Sequence, residues 1–397
     1  MIYNFDEVID RRGTGSVRWD AVADKFGEPE LIPLTTADMD FRVAPPIQEA
    51  LFRVVEQGIY GYTRHTEAFY DAIIQRFNTH WHWNIQRTWI RHSATILAAV
   101  GFCIQAMTCK GDGIVLPTPM YHPFQHLIRE NERTLIECPL ALDQGGYHLN
   151  FPHLEALLRQ ENVRMLIFCN PHNPVGRAWR EEELEQVCRL CLQYDVILLS
   201  DEIHCDFVFD GRTFVSAAAA MERLGGLDRL IVCSSAGKSF NIAGLQVSNI
   251  ILPGKALRDA YDQILRCQSF HELNMMGPAA VQAAYTRCGE WQTQVKDYLQ
   301  GTRDLMVQYF HQRIPVLHPV VPEATFMIWL DCRELGLGPA ELEQFFTHQA
   351  KVGVNMGEMF GTGGAGYVRI NFASPRPIIL ESLARIETAV NKFRLKK

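Results

Sequence analysis

A lysine that can form a Schiff base stands at position 238, in the stretch Cys233-Ser234-Ser235-Ala236-Gly237-Lys238, where it follows the apolar run Leu230 to Val232 in a turn of small residues. An amine is a useful nucleophile only when its neighbours lower its pKa, and against a cofactor aldehyde it then serves as a covalent tether and later as a proton carrier. Taken alone, the same spacing describes a surface lysine in a loop. In open α/β sheets ligands sit outside the carboxyl ends of the strands, so the residues that end the other apolar runs decide between the two readings.

Each of those ends is polar. Met165 to Cys169 runs into Asn170-Pro171-His172-Asn173-Pro174-Val175-Gly176, two amides in a proline-punctuated turn, which by itself is also an ordinary Asx turn. Val196 to Leu199 runs into Ser200-Asp201-Glu202-Ile203-His204. A carboxylate there can protect the proton on a heterocyclic nitrogen, and the imidazole three residues on can bond a neighbouring oxygen; a helix cap and a satisfied core histidine are the structural alternatives. Ser93-Ala94-Thr95-Ile96 opens an apolar helical stretch whose first amides suit a phosphate, although Ser and Thr are also common caps. Pro117-Thr118-Pro119-Met120-Tyr121 follows the run Ile114 to Leu116 and sets an aromatic where it can stack on a flat ring or simply pack. Together these features describe a site for a phosphorylated, pyridine-based aldehyde: lysine for the aldehyde, carboxylate for the ring nitrogen, helix start for the phosphate and aromatic for the ring face.

The elements that must position them follow from periodicity. Ile114 to Leu116, Met165 to Cys169, Val196 to Leu199 and Leu230 to Cys233 are continuous apolar runs, as expected of parallel strands buried on both faces. Between them, Glu181 to Gln193 has helical spacing of Leu184, Val187, Leu190 and Cys191. The middle of the chain is therefore predicted to be α/β with a mostly parallel sheet. From about residue 290 the pattern changes to a long helix, a strand at Phe326 to Leu330, a glycine-rich loop at Gly361 to Gly366, a strand at Tyr367 to Phe372 and an amphipathic helix from Ile378 to Phe393, a smaller α+β domain.

With 397 residues, 47% hydrophobic and 21% charged, the chain is of globular rather than disordered or membrane-embedded composition. A net charge of -7 and the lack of any long Lys/Arg block argue against nucleic acid or a membrane surface; Arg394-Leu395-Lys396-Lys397 reads as a solvated helix end. The residues Met1 to Glu7 lack a basic segment followed by an apolar one, so a cytoplasmic location is expected. The eleven cysteines include one C-x-x-C pair, Cys188 and Cys191, in a helical stretch without a second pair nearby, and are expected to be buried thiols rather than metal ligands.

These segments, with Asp10-Arg11-Arg12-Gly13-Thr14, Trp19-Asp20, Ala37-Asp38-Met39-Asp40-Phe41, Tyr60-Gly61-Tyr62 and Ser235-Ala236-Gly237-Lys238-Ser239-Phe240-Asn241, make nearly the whole chain resemble a fold-type I pyridoxal-phosphate enzyme of the class I/II aminotransferase superfamily. Within it the resemblance is to the MalY/PatB-like carbon–sulfur lyases, or cystathionine β-lyases. The resemblance implies that Lys238 bonds the cofactor, that Asp201 pairs with the pyridine nitrogen, that Asn173 and His204 address the ring hydroxyl and that Tyr121 stacks on the ring. It implies phosphate contacts from the Thr95 and Ile96 amides, from Ser235 and from Tyr62 of the other subunit of a homodimer, and substrate contacts from Arg369, Ala37 and Asn173, with Arg369 clamping the α-carboxylate. The implied division is an N-terminal segment 1–45 associated with the small domain, a large domain 46–288 and a small domain 289–397. Many aminotransferases carry Tyr where His204 stands and Arg where Gln246 stands, eight residues past the lysine, and both differences agree with the lyase subgroup. The implied reaction is β-elimination from L-cystathionine or another cysteine S-conjugate. A pyridoxal-phosphate aminotransferase of aromatic or sulfur amino acids, and a regulatory protein that keeps the fold, are the alternatives.

Overall fold

The four apolar runs lie side by side in the middle of one seven-stranded sheet. In the computed structural model, which describes residues 2–144 and 146–395, the strand order is Ile90–Ser93, Ser248–Ile251, Leu230–Ser234, Ile197–Asp201, Val163–Cys169, Gly113–Thr118, Thr134–Pro139. Ser248–Ile251 alone runs against its neighbours; every other pairing is parallel. Val115, Leu116, Leu166, Ile167, Leu198, Leu199, Ile231 and Val232 are fully buried, so consecutive residues are covered on both faces of the sheet. The sequence reading missed Ile90–Ser93, Thr134–Pro139 and Ser248–Ile251. These strands interrupt their apolar residues with Arg91, His92 and Ser93, with Glu137, or with Ser248 and Asn249, which weakens the signal of a buried strand.

The helix Glu181–Gln193 has the predicted bounds. Three glutamates fill its first turn, where the helix dipole favours negative charge, and it buries Leu184, Val187, Cys188, Leu190 and Cys191 against the sheet layer. Cys188 and Cys191 are buried free thiols, as are most of the eleven cysteines.

A second sheet of four antiparallel strands has the order His318–Val320, Met327–Asp331, Tyr367–Asn371, Asn355–Met356. The long helices Gly289–Arg313 and Arg376–Arg394 accompany it. The glycine-rich loop before Tyr367 needs its glycines for close approach: a Cβ on Gly364 would lie 1.9 Å from the Gly357 carbonyl oxygen. Ile32–Pro33 pairs in parallel with Val352–Gly353, which fastens the N-terminal segment to this layer. Lys396 and Lys397 lie outside the described residues. Among the described residues no helix is long and apolar enough to cross a membrane, and no group of three or more His, Cys, Asp or Glu side chains is arranged to hold a metal ion.

Candidate active site

Strand register brings the chemistry together. Cys169, Asp201 and Cys233 are partners in one row across three parallel strands, so Asp201 stands at the carboxyl edge where the polar ends begin. Five residues past Cys233 comes Lys238, on the one-turn helix Ala236–Ser239 rather than in a loop. Ser235 fastens that turn: its hydroxyl accepts from Gly237 N–H at 3.0 Å and donates to Val247 O at 2.6 Å. A Cβ on Gly237 would approach Ala243 Cα to 3.2 Å, so the turn packs as tightly as it does because this residue has no side chain.

A cavity of about 210 Å3 opens over this edge. Lys238, Asp201, Asn173, His204, Tyr121, Thr95, Ile96, Ser235 and Ala37 all line it, together with Cys169, Val247 and Ser248, which the sequence reading did not assign. Two expected residues are not in its wall. Tyr62 is fully exposed on the surface, beside Tyr60 and Glu272–Met276, and is not brought to the cavity of its own chain. Arg369 is buried just behind the wall in the strand Tyr367–Asn371, donating to Asn173 Oδ1 at 3.1 Å, Asn355 Oδ1 at 2.8 Å and Thr35 O at 3.0 Å. Gln246 is also outside the wall, exposed and with a left-handed backbone (φ 56°). Nothing in the local sequence marks Asn355 as a partner of Arg369; the pairing across adjacent small-sheet strands sets them opposite each other.

The electrostatics of the cavity follow from burial. Burial pushes the Asp201 carboxyl up to about 7; its bond from Ile203 N–H and the nearby Lys238 charge pull against that. Burial pulls the Lys238 amine down to about 8, into the range of a working base. The amine donates to the Ala37 carbonyl oxygen. Burial lowers His204 to about 3, with the charges of Lys238 and Arg369 adding, so the imidazole is neutral; its Nδ1 is buried without a partner, and its ring sits edge-on to Phe326 at 5.6 Å. Arg369 is lowered by burial to about 10 and remains a cation, and its buried Nε–H also lacks an acceptor.

These residues fit a phosphorylated pyridine aldehyde. The wall offers one primary amine, one buried carboxylate, an aromatic ring at Tyr121 and a neutral imidazole with an unused nitrogen. Thr95 caps the helix Ile96–Met107 by accepting from Ala98 N–H at 3.0 Å, and Ile96 and Leu97, whose amides have no acceptor within the helix, line the cavity. The unbonded Nε–H of Arg369 is a donor suited to a carboxylate.

Residues 30–385 match the family model described as aminotransferase class I and II. The chain belongs to that family. It is 34% identical to cystathionine β-lyase PatB of Bacillus subtilis (strain 168) over 388 residues, which cover 98% of this chain and 100% of PatB. Cystalysin from Treponema denticola, whose crystal structure contains a pyridoxal 5'-phosphate cofactor, superposes with a TM-score of 0.95 at 33% identity, over 99% of this chain and 100% of cystalysin. The pyridoxal-phosphate-bound C–S lyase from Staphylococcus hominis superposes with a TM-score of 0.92 at 30% identity, over 98% of each chain. The architecture, a mostly parallel seven-stranded sheet with a smaller antiparallel one, is the fold-type I arrangement of such enzymes.

Proposed function

We propose that this protein is a pyridoxal-phosphate-dependent carbon–sulfur β-lyase that cleaves L-cystathionine or a related cysteine S-conjugate to a thiol, pyruvate and ammonia. The observation that carries the reading is the convergence of Lys238, Asp201, Asn173 and, behind them, Arg369 on one cavity in a chain similar over its full length to proteins named as such lyases. When bound, the cofactor supplies an aldehyde that condenses with amines and a ring that withdraws electrons from the substrate Cα.

The chain's own residues then divide the work. Asp201, in the cavity wall, would hold a proton on the cofactor's ring nitrogen as a charge pair, which would offset the cost of its own burial. His204 and the Asn173 amide would address the ring oxygen, Tyr121 would cover a ring face, and the Ile96 and Thr95 backbone with Ser235 would hold the phosphate, all of them residues that line the cavity. Arg369 takes the substrate α-carboxylate through donors not already spent on Asn173, Asn355 and Thr35, which orients Cα–H toward Lys238. Ala37 borders the same space, and its carbonyl bond from Lys238 is available for exchange as the amine moves. The Lys238 amine removes the Cα proton; the electron pair from Cα–H forms the Cα–Cβ double bond as Cβ–S breaks, and sulfur leaves as a thiolate that picks up a proton. The remaining three-carbon fragment hydrolyses to pyruvate and ammonia.

The working unit is proposed to be a homodimer in which Tyr62 of each chain completes the other's phosphate site. Tyr62 is fully exposed and follows Phe52, Val55, Ile59 and Tyr60, also exposed, a concentration of apolar surface that monomers rarely carry. The proposed division into 1–45, 46–288 and 289–397 is supported by the two separate sheets, by the start of the long helix at Gly289, and by the bonds from Leu34 N to Gly353 O and from Asn371 N to Leu34 O, both 2.8 Å. A reducing, cytoplasmic setting is consistent with the eleven free thiols.

The test is to incubate the protein with L-cystathionine and no keto acid, and to assay pyruvate and free thiol together. Equal, catalytic amounts are expected. A protein that yields neither until a keto acid is added, and then forms a new amino acid, is an aminotransferase.

A further inference from the structure

Arg369 is a buried cation without a counter-ion. Among the described residues no carboxylate lies within ion-pair distance of its guanidinium, and its three bonds run to the neutral oxygens of Asn173, Asn355 and Thr35. A cation taken this far out of water needs negative charge density beside it. What faces it is the ring of Phe360, whose centroid lies 5.1 Å from Arg369 Cζ. An aromatic face attracts a guanidinium through its quadrupole and occupies none of its N–H donors, whereas a carboxylate would occupy the donors that a substrate must use. The three bonds leave the Nε–H and one further N–H unspent.

The ring is fixed from both sheets. Phe360 closes the short turn Gly357–Phe360 and is fully buried. In the small sheet Trp329 is the cross-strand partner of Arg369, and its indole stands edge-on to Phe360 at 5.3 Å. From the side of the large sheet His122 stands edge-on to the same ring at 5.6 Å, and the Phe360 carbonyl oxygen accepts from Met120 N–H at 2.9 Å, one residue before Tyr121 in the cavity wall. The chain that follows is pressed against that side too. Gly361 has a left-handed backbone (φ 90°), and a Cβ on it would come within 2.9 Å of Gln125 Nε2 and 3.0 Å of Thr118 Cγ2; Thr362 N–H then donates to Glu137 Oε2 at 2.9 Å. Arg369 is thus located against the cavity by two ties, its side-chain bond to Asn173 and the ring on which it rests.

Resting on the reading of Arg369 as the group that takes the substrate α-carboxylate, we propose that Phe360 is a positioning residue for that site: its ring holds the guanidinium against the cavity wall, and its backbone bond to Met120 ties the ring to the turn that carries Tyr121. A ring that merely fills the core serves every ligand alike. A ring that holds Arg369 matters to ligands that bear a carboxylate.

The experiment uses the holoprotein and two small amines that differ by one carboxylate, glycine and methylamine, each titrated against the visible cofactor band in wild type, Phe360→Leu and Arg369→Gln. In Phe360→Leu the dissociation constant for glycine is expected to rise about 5- to 30-fold, the range spanned by a partly to fully desolvated cation–π contact, while that for methylamine stays within about twofold. No change, tighter glycine, or equal changes for the two amines overturn the proposal. If Phe360→Leu does not retain cofactor, Glu137→Ala decides, because it frees the chain just beyond Gly361 without touching the ring: a rise confined to glycine supports the proposal, and any other pattern overturns it. Arg369→Gln separates this proposal from the reading beneath it. Wild-type glycine affinity there removes Arg369 from the carboxylate site, and this proposal with it; glycine lost in Arg369→Gln but not in Phe360→Leu overturns the role of Phe360 alone.

Discussion

Replacing Glu202 by Gln should alter how stability depends on pH. Glu202 follows Asp201 at the end of the central strand, but it is not in the cavity wall. Its Oε1 accepts from Ser200 Oγ at 2.9 Å and from Ala217 N–H at 3.0 Å, whereas its buried Oε2 has no partner. Burial raises this carboxyl from 4.5 to about 7. The folded protein therefore binds a proton that the unfolded chain releases, so this group favours the folded state most below pH 4.5 and that advantage is lost as the pH rises through about 7. The difference corresponds to roughly 3 kcal/mol, most of which falls between about pH 5 and about pH 8.5. Glutamine keeps the shape of the protonated acid and its Oε1 acceptor, so Glu202→Gln should gain stability relative to wild type by about that amount across the same interval. Urea unfolding of both proteins at the two pH values, with protein and cofactor concentrations held equal, measures it. Parallel pH dependence in the two proteins would refute the claim that Glu202 is buried with a raised pKa. Loss of the cofactor band in Glu202→Gln would refute its separation from the site.

The neighbouring acid should behave otherwise: Asp201→Asn is expected to lower turnover roughly 10²- to 10⁴-fold, the loss of one partner of a buried charge pair, and wild-type turnover in steady-state assays would remove Asp201 from the mechanism. For the proposed subunit-shared site, Lys238→Ala and Tyr62→Ala should each be strongly impaired, while subunits mixed and reassembled recover roughly a quarter of wild-type activity, because half of a random mixture is mixed dimers and half of their sites are intact. Activity no greater than the average of the two separate variants places Tyr62 outside the partner's site.

Much of the large sheet and of the cavity wall was legible in the sequence. Strands covered on both faces must be apolar at every position, so Ile114 to Leu116, Met165 to Cys169, Val196 to Leu199 and Leu230 to Cys233 stand out by composition alone. Parallel strands present their carboxyl ends on one edge, so Asn173, Asp201 and Lys238 were placed together by position along the chain. The outer strands were not legible, because positions with polar side chains break the apolar run.

Other features exist only in three dimensions. The bonds from Arg369 to Thr35, Asn173 and Asn355 join residues separated by up to 334 positions, and no local pattern records them. The different partners of Asp38 and Asp40, identical residues two apart in one motif, are set by where Arg11, Arg18, Trp19 and Ser374 come to rest. The acidity of Asp201 and Glu202 likewise depends on desolvation by segments distant in sequence. Residue types and their periodicity determined which groups this chain has for chemistry and on which elements they ride. Which of those groups lose water, gain a partner or are left without one was decided by packing between the elements, because the energy of a charge depends on everything around it rather than on its neighbours in the chain.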